Sequence, residues 1–225
     1  MVQPVVKRDS ELRDQVLREL TWDTRIQEAK VGVSVHLGVI TLSGTVDSYA
    51  ERLAAQEAAH RVAGVRDVAN EIQVRIPGGN IRTDEDIARA VRYALEWNVL
   101  IPADAITTTV ADGWVTLEGT VGSWRQRLDA ESAIRYLPGV KGILNKIHVV
   151  APEVGAESLR EAIEAALERR AEREAKHLHI NVEGSKVTIS GKVRTWADLQ
   201  AVLGTVSHAP GVREVEDNLE IDPSI

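Results

Sequence analysis

A nine-residue phrase occurs three times in this chain, and no other property restricts its fold so tightly. Gly38-Val39-Ile40-Thr41-Leu42-Ser43-Gly44-Thr45-Val46 returns as Gly113-Trp114-Val115-Thr116-Leu117-Glu118-Gly119-Thr120-Val121, and again as Ser185-Lys186-Val187-Thr188-Ile189-Ser190-Gly191-Lys192-Val193. The internal glycines Gly44, Gly119 and Gly191 stand 75 and 72 residues apart. Twenty residues after each comes another glycine followed by valine: Gly64, Gly139 and Gly211. Repetition at a fixed period is read before any other signal, because it sets the size of the folding unit. The 225 residues therefore divide into three units, 8–77, 81–150 and 156–222, where length alone suggests one or two domains. Units of this size bury only ~60% of their unfolded surface, so the three are expected to lean on one another.

Each unit opens with an amphipathic helix. Leu12, Val16 and Leu20 follow Asp9 or Ser10 as a cap; Ile87, Val91 and Leu95 follow Thr83 or Asp84; Leu159, Ile163 and Leu167 follow Glu157 or Ser158. Spacing at i, i+4, i+8 places each trio on one stripe, facing a core. A hairpin comes next. Val31, Val33 and Val35 alternate with Gly32, Ser34 and His36, and glycine-containing turns return the chain at Leu37-Gly38, Asp112-Gly113 and Gly184-Ser185. On the return strand Ile40 and Leu42, Val115 and Leu117, and Val187 and Ile189 face inward, and the glycines Gly44, Gly119 and Gly191 are expected to end it.

A second helix carries an aromatic residue five positions after that glycine, Tyr49, Trp124 and Trp196, which its recurrence assigns to the core. The inner side continues through Leu53, Ala58 and Val62, through Leu128, Ala133 and Leu137, and through Leu199, Val202, Leu203 and Val206. Gly64, Gly139 and Gly211 stop it as left-handed caps. The last strands run Val65–Val74, Val140–Val149 and Val212–Ile221, and Asn218, one position later than Asn70 and Asn145, predicts an inserted residue and a bulge in the third. Proline–glycine linkers, Ile76–Asn80 and Ala151–Gly155, separate the units. The fold class is α+β: three tandem αββαβ units, each a three-stranded mixed sheet with both helices on one face and the other face bare.

This pattern resembles the BON domain, named for bacterial osmotically inducible and nodulation proteins. The residues that carry the resemblance are Leu42, Gly44 and Val46 with Gly64-Val65 and Val68; Leu117, Gly119 and Val121 with Gly139-Val140 and Ile143; and Ile189, Gly191 and Val193 with Gly211-Val212 and Val215. The resemblance covers essentially the whole chain. It implies a phospholipid-binding or protein-interaction module common in envelope and osmotic-stress proteins, whose best-known members carry two copies and are exported to the periplasm. This chain has three copies, and its first ten residues show no apolar leader core, which predicts a cytoplasmic location, or a periplasmic one where a leader has been removed.

Composition narrows the function by exclusion. Net charges of −2, −1 and −4 over the three units supply no basic footprint for nucleic acid, and no apolar run reaches the ~20 residues of a membrane span. With no cysteine, thiol catalysis and thiolate metal sites are absent. His177 and His179 share a strand face but lack a third ligand, and Asp84-Glu85-Asp86 reads as a helix first turn complementing the dipole. No nucleophile–base pair or phosphate loop is written, so no catalytic, cofactor-binding or metal-binding residues are assigned and the expected protein is not an enzyme.

The binding candidates are aromatic. Trp22 and Trp97 end the first helix in two units and are followed at equal spacing by Ile26 and Ile101, whereas the third unit has Arg169 and Arg173 inside a charged run, Glu168–Lys176. These pairs read either as docking surfaces between the first two units or as residues for a bilayer headgroup region, docking being the stronger reading because basic residues nearby are sparse. Trp114, outward on its strand where the other copies have Val39 and Lys186, seeks a partner or packs on a neighbouring unit. The expected function is a stress-linked adaptor that binds a protein partner or itself through apolar patches; the alternative is a peripheral phospholipid-binding protein.

Overall fold

The structure, a computed structural model, describes residues 9–78, 82–152, 154–170 and 178–222. The first repeat consists of α1 (Asp9–Trp22), β1 (Val31–His36), β2 (Val39–Val46), α2 (Tyr49–Arg61), β3 (Asp67–Asn70) and β4 (Gln73–Val74). The second comprises α3 (Asp84–Trp97), β5 (Ile106–Ala111), β6 (Trp114–Val121), α4 (Trp124–Ile134) and β7 (Gly142–Val149). The third comprises α5 (Ala156–Arg170), β8 (Leu178–Glu183), β9 (Lys186–Val193), α6 (Trp196–Ser207) and β10 (Glu214–Ile221). In every repeat the hairpin is antiparallel and its second strand lies at the centre of the sheet; β2 pairs parallel with β3 and β4, and β6 with β7. Three αββαβ units with mixed sheets are thus present. Contacts group the chain into two compact units, one holding residues up to Pro77 with Lys192–Leu199 and the chain from Glu220, the other holding Gly78–Gly191 and Gln200–Leu219.

The predicted stripes form the core. Leu12, Val16 and Leu20 on α1 meet Ile40, Leu42 and Val46 on β2, all at most 2% exposed, and Ile87, Val91, Leu95, Val115 and Leu117 are buried in the second repeat. Gly44 and Gly119 do not end their strands, contrary to expectation: β2 and β6 run on to Val46 and Val121. A Cβ at Gly119 would lie 2.0 Å from the Ala105 carbonyl oxygen, and one at Gly44 2.1 Å from that of Lys30, at φ of +134° and +117°. Glycine stands there because another backbone crosses the strand, in a conformation that L side chains rarely adopt.

The second helix follows the sequence expectation in part: Ala58, Val62, Leu199, Val202 and Val206 are buried as expected, whereas Leu53, Leu128, Ala133, Leu137 and Leu203 are half-buried. On α2 the buried residues are Glu51, Ala54, Ala55, Ala58, Ala59 and His60; on α4 they are Ala130 and Ile134. Small side chains let the helix settle close to the sheet, and alanine carries too little hydrophobic contrast to reveal its phase. Ser48 accepts a hydrogen bond from the Glu51 amide at 3.1 Å, and the Glu51 carboxylate accepts from the amides of Asp47 (3.2 Å) and Gln27 (2.8 Å). This capping box, extended to the preceding loop, fixes the entry of α2.

Tyr49, Trp124 and Trp196 are half-buried, whereas a core position would be fully buried. In the first compact unit Trp196 stacks on His60, centroids 3.7 Å apart and planes 7° from parallel. In the second, Trp124 packs against the cluster of Leu159, Ile163, Leu167, Val187 and Ile189, with the Arg127 guanidinium 4.7 Å from its ring centroid. For both tryptophans recurrence marks contact with a different repeat.

The third strand contains no inserted residue. β7 and β10 each have eight residues and start three after their glycine. Asp217, six after Gly211, takes the place of Asn70 and Asn145: its carboxylate accepts from the Leu219 amide at 3.0 Å, as Asn70 and Asn145 accept from Ile72 and Ile147 at 3.2 Å. The role is an acceptor for an amide two residues on, which Asp and Asn share.

Candidate functional site

The hairpin turns show how local sequence fixes each repeat. Leu37 (φ +50°) and Asp112 (φ +51°) are the described non-glycine residues in the left-handed region. The Asp9 carboxylate accepts from the Leu37 and Gly38 amides at 2.9 and 3.2 Å; that of Asp84 accepts from Asp112 and Gly113 at 2.8 and 2.9 Å. Asp84 thus does more than complement a helix dipole. The third repeat has Ala156 at this position, and its turn places Gly184 at φ +63° with Ser185 outside the left-handed region.

Of the sequence candidates, Ile26 and Ile101, 7% and 6% exposed, belong to the core and drop out as surface residues, because the loop after each helix folds back to seal its end. Trp22 and Trp97, 84% and 74% exposed, point into solvent, and Trp114 on the outer sheet row is 50% exposed. Trp22 has charged surroundings: the Asp23 carboxylate next to it binds Arg25 and Arg61, which also reach Glu57 and Glu19. Hydrogen bonds from Arg25, with Arg61 adding to them, hold the Asp23 carboxyl well below the usual carboxylate range.

The end of α3 is different. Tyr93 stacks on Trp97 at 5.3 Å, and Val99 and Leu100 project beside them, so that Tyr93, Trp97, Val99 and Leu100 are 61, 74, 94 and 64% exposed. The tip is held in shape: Asn98 accepts from the Leu100 amide at 3.0 Å, and the Arg92 guanidinium donates to the Ala103 and Ile106 carbonyls at 2.9 Å each. The corresponding first-repeat residues are Arg18, Trp22, Thr24 and Arg25. Comparing exposed positions between copies is the signal that finds Tyr93, Val99 and Leu100; following the buried isoleucines conceals it.

On the outer face of the second sheet, Trp114 pairs in register with Gly142, and Leu144, 50% exposed, lies one ladder step further on. His177, Arg173 and most of the charged run at 168–176 lie outside the described residues; His179 is exposed. Among the described residues no group of three His, Cys, Asp or Glu is placed to hold a metal ion, and no helix is long and apolar enough to cross a membrane. A shallow groove of about 510 Å³ at Val154, Gly184, Ser185, Lys186, Arg213 and Glu214 offers no free cation: Lys186 binds Glu214 and Glu216, and Arg213 the Ala151 carbonyl.

Three glycine-punctuated αββαβ repeats coincide with three matches of one family model, the BON domain, at residues 8–76, 83–151 and 156–223. The chain belongs to the BON domain family. Its BON repeats are 29% identical over 143 residues to osmotically-inducible protein Y of Escherichia coli, covering 62% of this chain and 71% of that one. They are 27% identical over 145 residues to the 21 kDa hemolysin of Actinobacillus pleuropneumoniae, covering 63% and 74%. CdsD, a structural protein of the type III secretion system of Chlamydia trachomatis, aligns over 93% of this chain and 91% of its own at 13% identity, with a TM-score of 0.26 that bears on nothing further.

Proposed function

We propose that this is a non-enzymatic, stress-linked BON protein that binds phospholipid surfaces by inserting the tip of its second repeat. One observation carries the reading: four apolar side chains project together at the end of α3, where the first repeat keeps its tryptophan among charges. Tryptophan and tyrosine suit the headgroup level, and projecting aliphatic side chains suit the layer beneath it. Full burial of Val99 and Leu100 contributes roughly 3–6 kcal/mol before ordering costs. Those costs are small because Asn98 and Arg92 already hold the loop. Neighbouring cations are engaged, Arg89 by Glu85 and Asp86 and Arg92 by backbone carbonyls, so insertion rather than charge attraction supplies the affinity. The likeness to an osmotically inducible protein and to a hemolysin supports a stress- and membrane-linked role.

Co-sedimentation with neutral and with anionic vesicles tests this. The wild type is expected to bind both, with little salt dependence. Trp97→Ser and Val99→Asp should abolish binding, and Trp22→Ser should leave it intact. A wild-type chain that stays in the supernatant with both vesicles overturns the proposal. The alternative, an adaptor for a protein partner, is favoured by the apolar patch at Trp114 and Leu144.

A further inference from the structure

The helix-free face of the second sheet carries a pattern that the other repeats lack. Along β6 the outward residues are Trp114, Thr116, Glu118 and Thr120; along β7 their register partners are Gly142, Leu144, Lys146 and His148. Two exposed apolar residues, Trp114 and Leu144, therefore adjoin an acid and a base, Glu118 and Lys146, which face each other on the ladder at 3.6 Å and are about half exposed. A Cβ at Gly142 would lie 2.3 Å from the Trp114 ring, so the indole lies flat across β7 with its other face open. The equivalent pairs elsewhere are Val39 with Asp67 and an ion pair, Lys186 with Glu214. The fold is built without Trp114 in two of three copies.

We infer that this face joins a second copy of the chain across a twofold axis running parallel to and midway between β6 and β7. The occupant follows from charge. A rotation about that axis lays β6 of each copy over β7 of the other, level by level. Glu118 then meets the second copy's Lys146 and Lys146 its Glu118, while Thr116 meets Leu144. At the next level the two indoles, each lying over its own Gly142, stack face to face at the axis. An isologous interface requires that if i contacts j, then j contacts i. Acid and base in register on adjacent strands satisfy this for a copy of the same surface. An in-plane axis at right angles to the strands lays β6 over β6 and β7 over β7, so that Glu118 faces no lysine of the second copy. Aligned face-to-face packing of two sheets is a common mode, and charge complementarity sets register and orientation. Long-range repulsion is also lowest here, since the repeat carries a net charge of −1 in a chain of −7.

Sedimentation equilibrium of the full chain tests the interface. The wild type should show a concentration-dependent monomer–dimer equilibrium. Glu118→Lys and Lys146→Glu, each alone, should weaken the dimer at least tenfold by setting like charges opposite each other. Mixing these two single variants should restore a 1:1 heterodimer, because every charged contact is again between opposites, and the double variant Glu118→Lys/Lys146→Glu should dimerise like the wild type. Circular dichroism verifies the fold of each variant. A chain that stays monomeric to millimolar concentration overturns the inference. So does a dimer that neither single variant weakens, or a mixture that fails to reassociate. The tip at Trp97 is unaltered in these variants, so vesicle binding is a separate outcome.

Discussion

Replacing Asp84 by alanine examines how one carboxylate holds a hairpin in a conformation its own residues disfavour. Asp84 accepts two backbone hydrogen bonds, at 2.8 and 2.9 Å, and the turn it serves keeps Asp112 at φ +51°. Each bond contributes about 1 kcal/mol net, since both amides regain water when the acceptor is removed. Loss of a negative charge in the first turn of α3 adds roughly 0.3–1 kcal/mol. The expected destabilisation of the second repeat is therefore about 2–3 kcal/mol, a factor of roughly 30–150 in its opening equilibrium. Amide hydrogen exchange at Asp112 and Gly113, read by NMR alongside the denaturation midpoint, measures it locally. Asp84→Asn keeps an acceptor but not the charge and should lose about half as much. The opposite change in the third repeat, Ala156→Asp, should gain almost nothing, because the Gly184-Ser185 turn is of a different type. Exchange at Asp112 and Gly113 that is no faster in Asp84→Ala than in the wild type would refute the reasoning.

Gly119→Ala should cost more than ~3 kcal/mol, because the new Cβ lies 2.0 Å from a backbone oxygen at φ +134°; the melting temperature and soluble yield report it. His60 is buried against Trp196 with no hydrogen-bond partner for Nδ1, and desolvation lowers its pKa from 6.5 to about 4, with the Asp67 charge pulling the other way. A folded-state pKa below the unfolded one means that the unfolded chain binds the proton more readily. Stability from the neutral ring is thus complete above about pH 6.5 and is lost as the pH falls towards 4, by up to about 3 kcal/mol. Thermal melts across this window should show the loss, and His60→Gln should flatten it.

What the chain announces plainly is whatever repeats at short range. The alternation of Ile40 and Leu42, and the stripes of Leu12, Val16 and Leu20, gave the sheet and first helix because apolar contrast along each element is strong. The burial of Ala54 and Ala55 on α2 was hidden by runs of alanine, and the Asp9 and Asp84 clamps by a separation of 28 residues. Asn218 shares its name but not its position with Asn70 and Asn145, and Asp217 performs their task. At the candidate surface Trp22, Trp97 and Trp114 were legible as exceptions to the repeat. Ile26 and Ile101 are buried, and equal spacing cannot distinguish a residue that seals a helix end from one that faces water.

The outer strand of the first repeat is interrupted between Asn70 and Gln73, where Ile72 turns inward and is only 3% exposed. A continuous border of unpaired peptide groups is a template on which another polypeptide can grow as ribbon. Here the border is cut into pieces of four and two residues, shorter than an adhering strand needs to hold its place. In the first repeat this edge is thus a poor template for strand addition, whereas the outer strands β7 and β10 of the other repeats run eight residues unbroken.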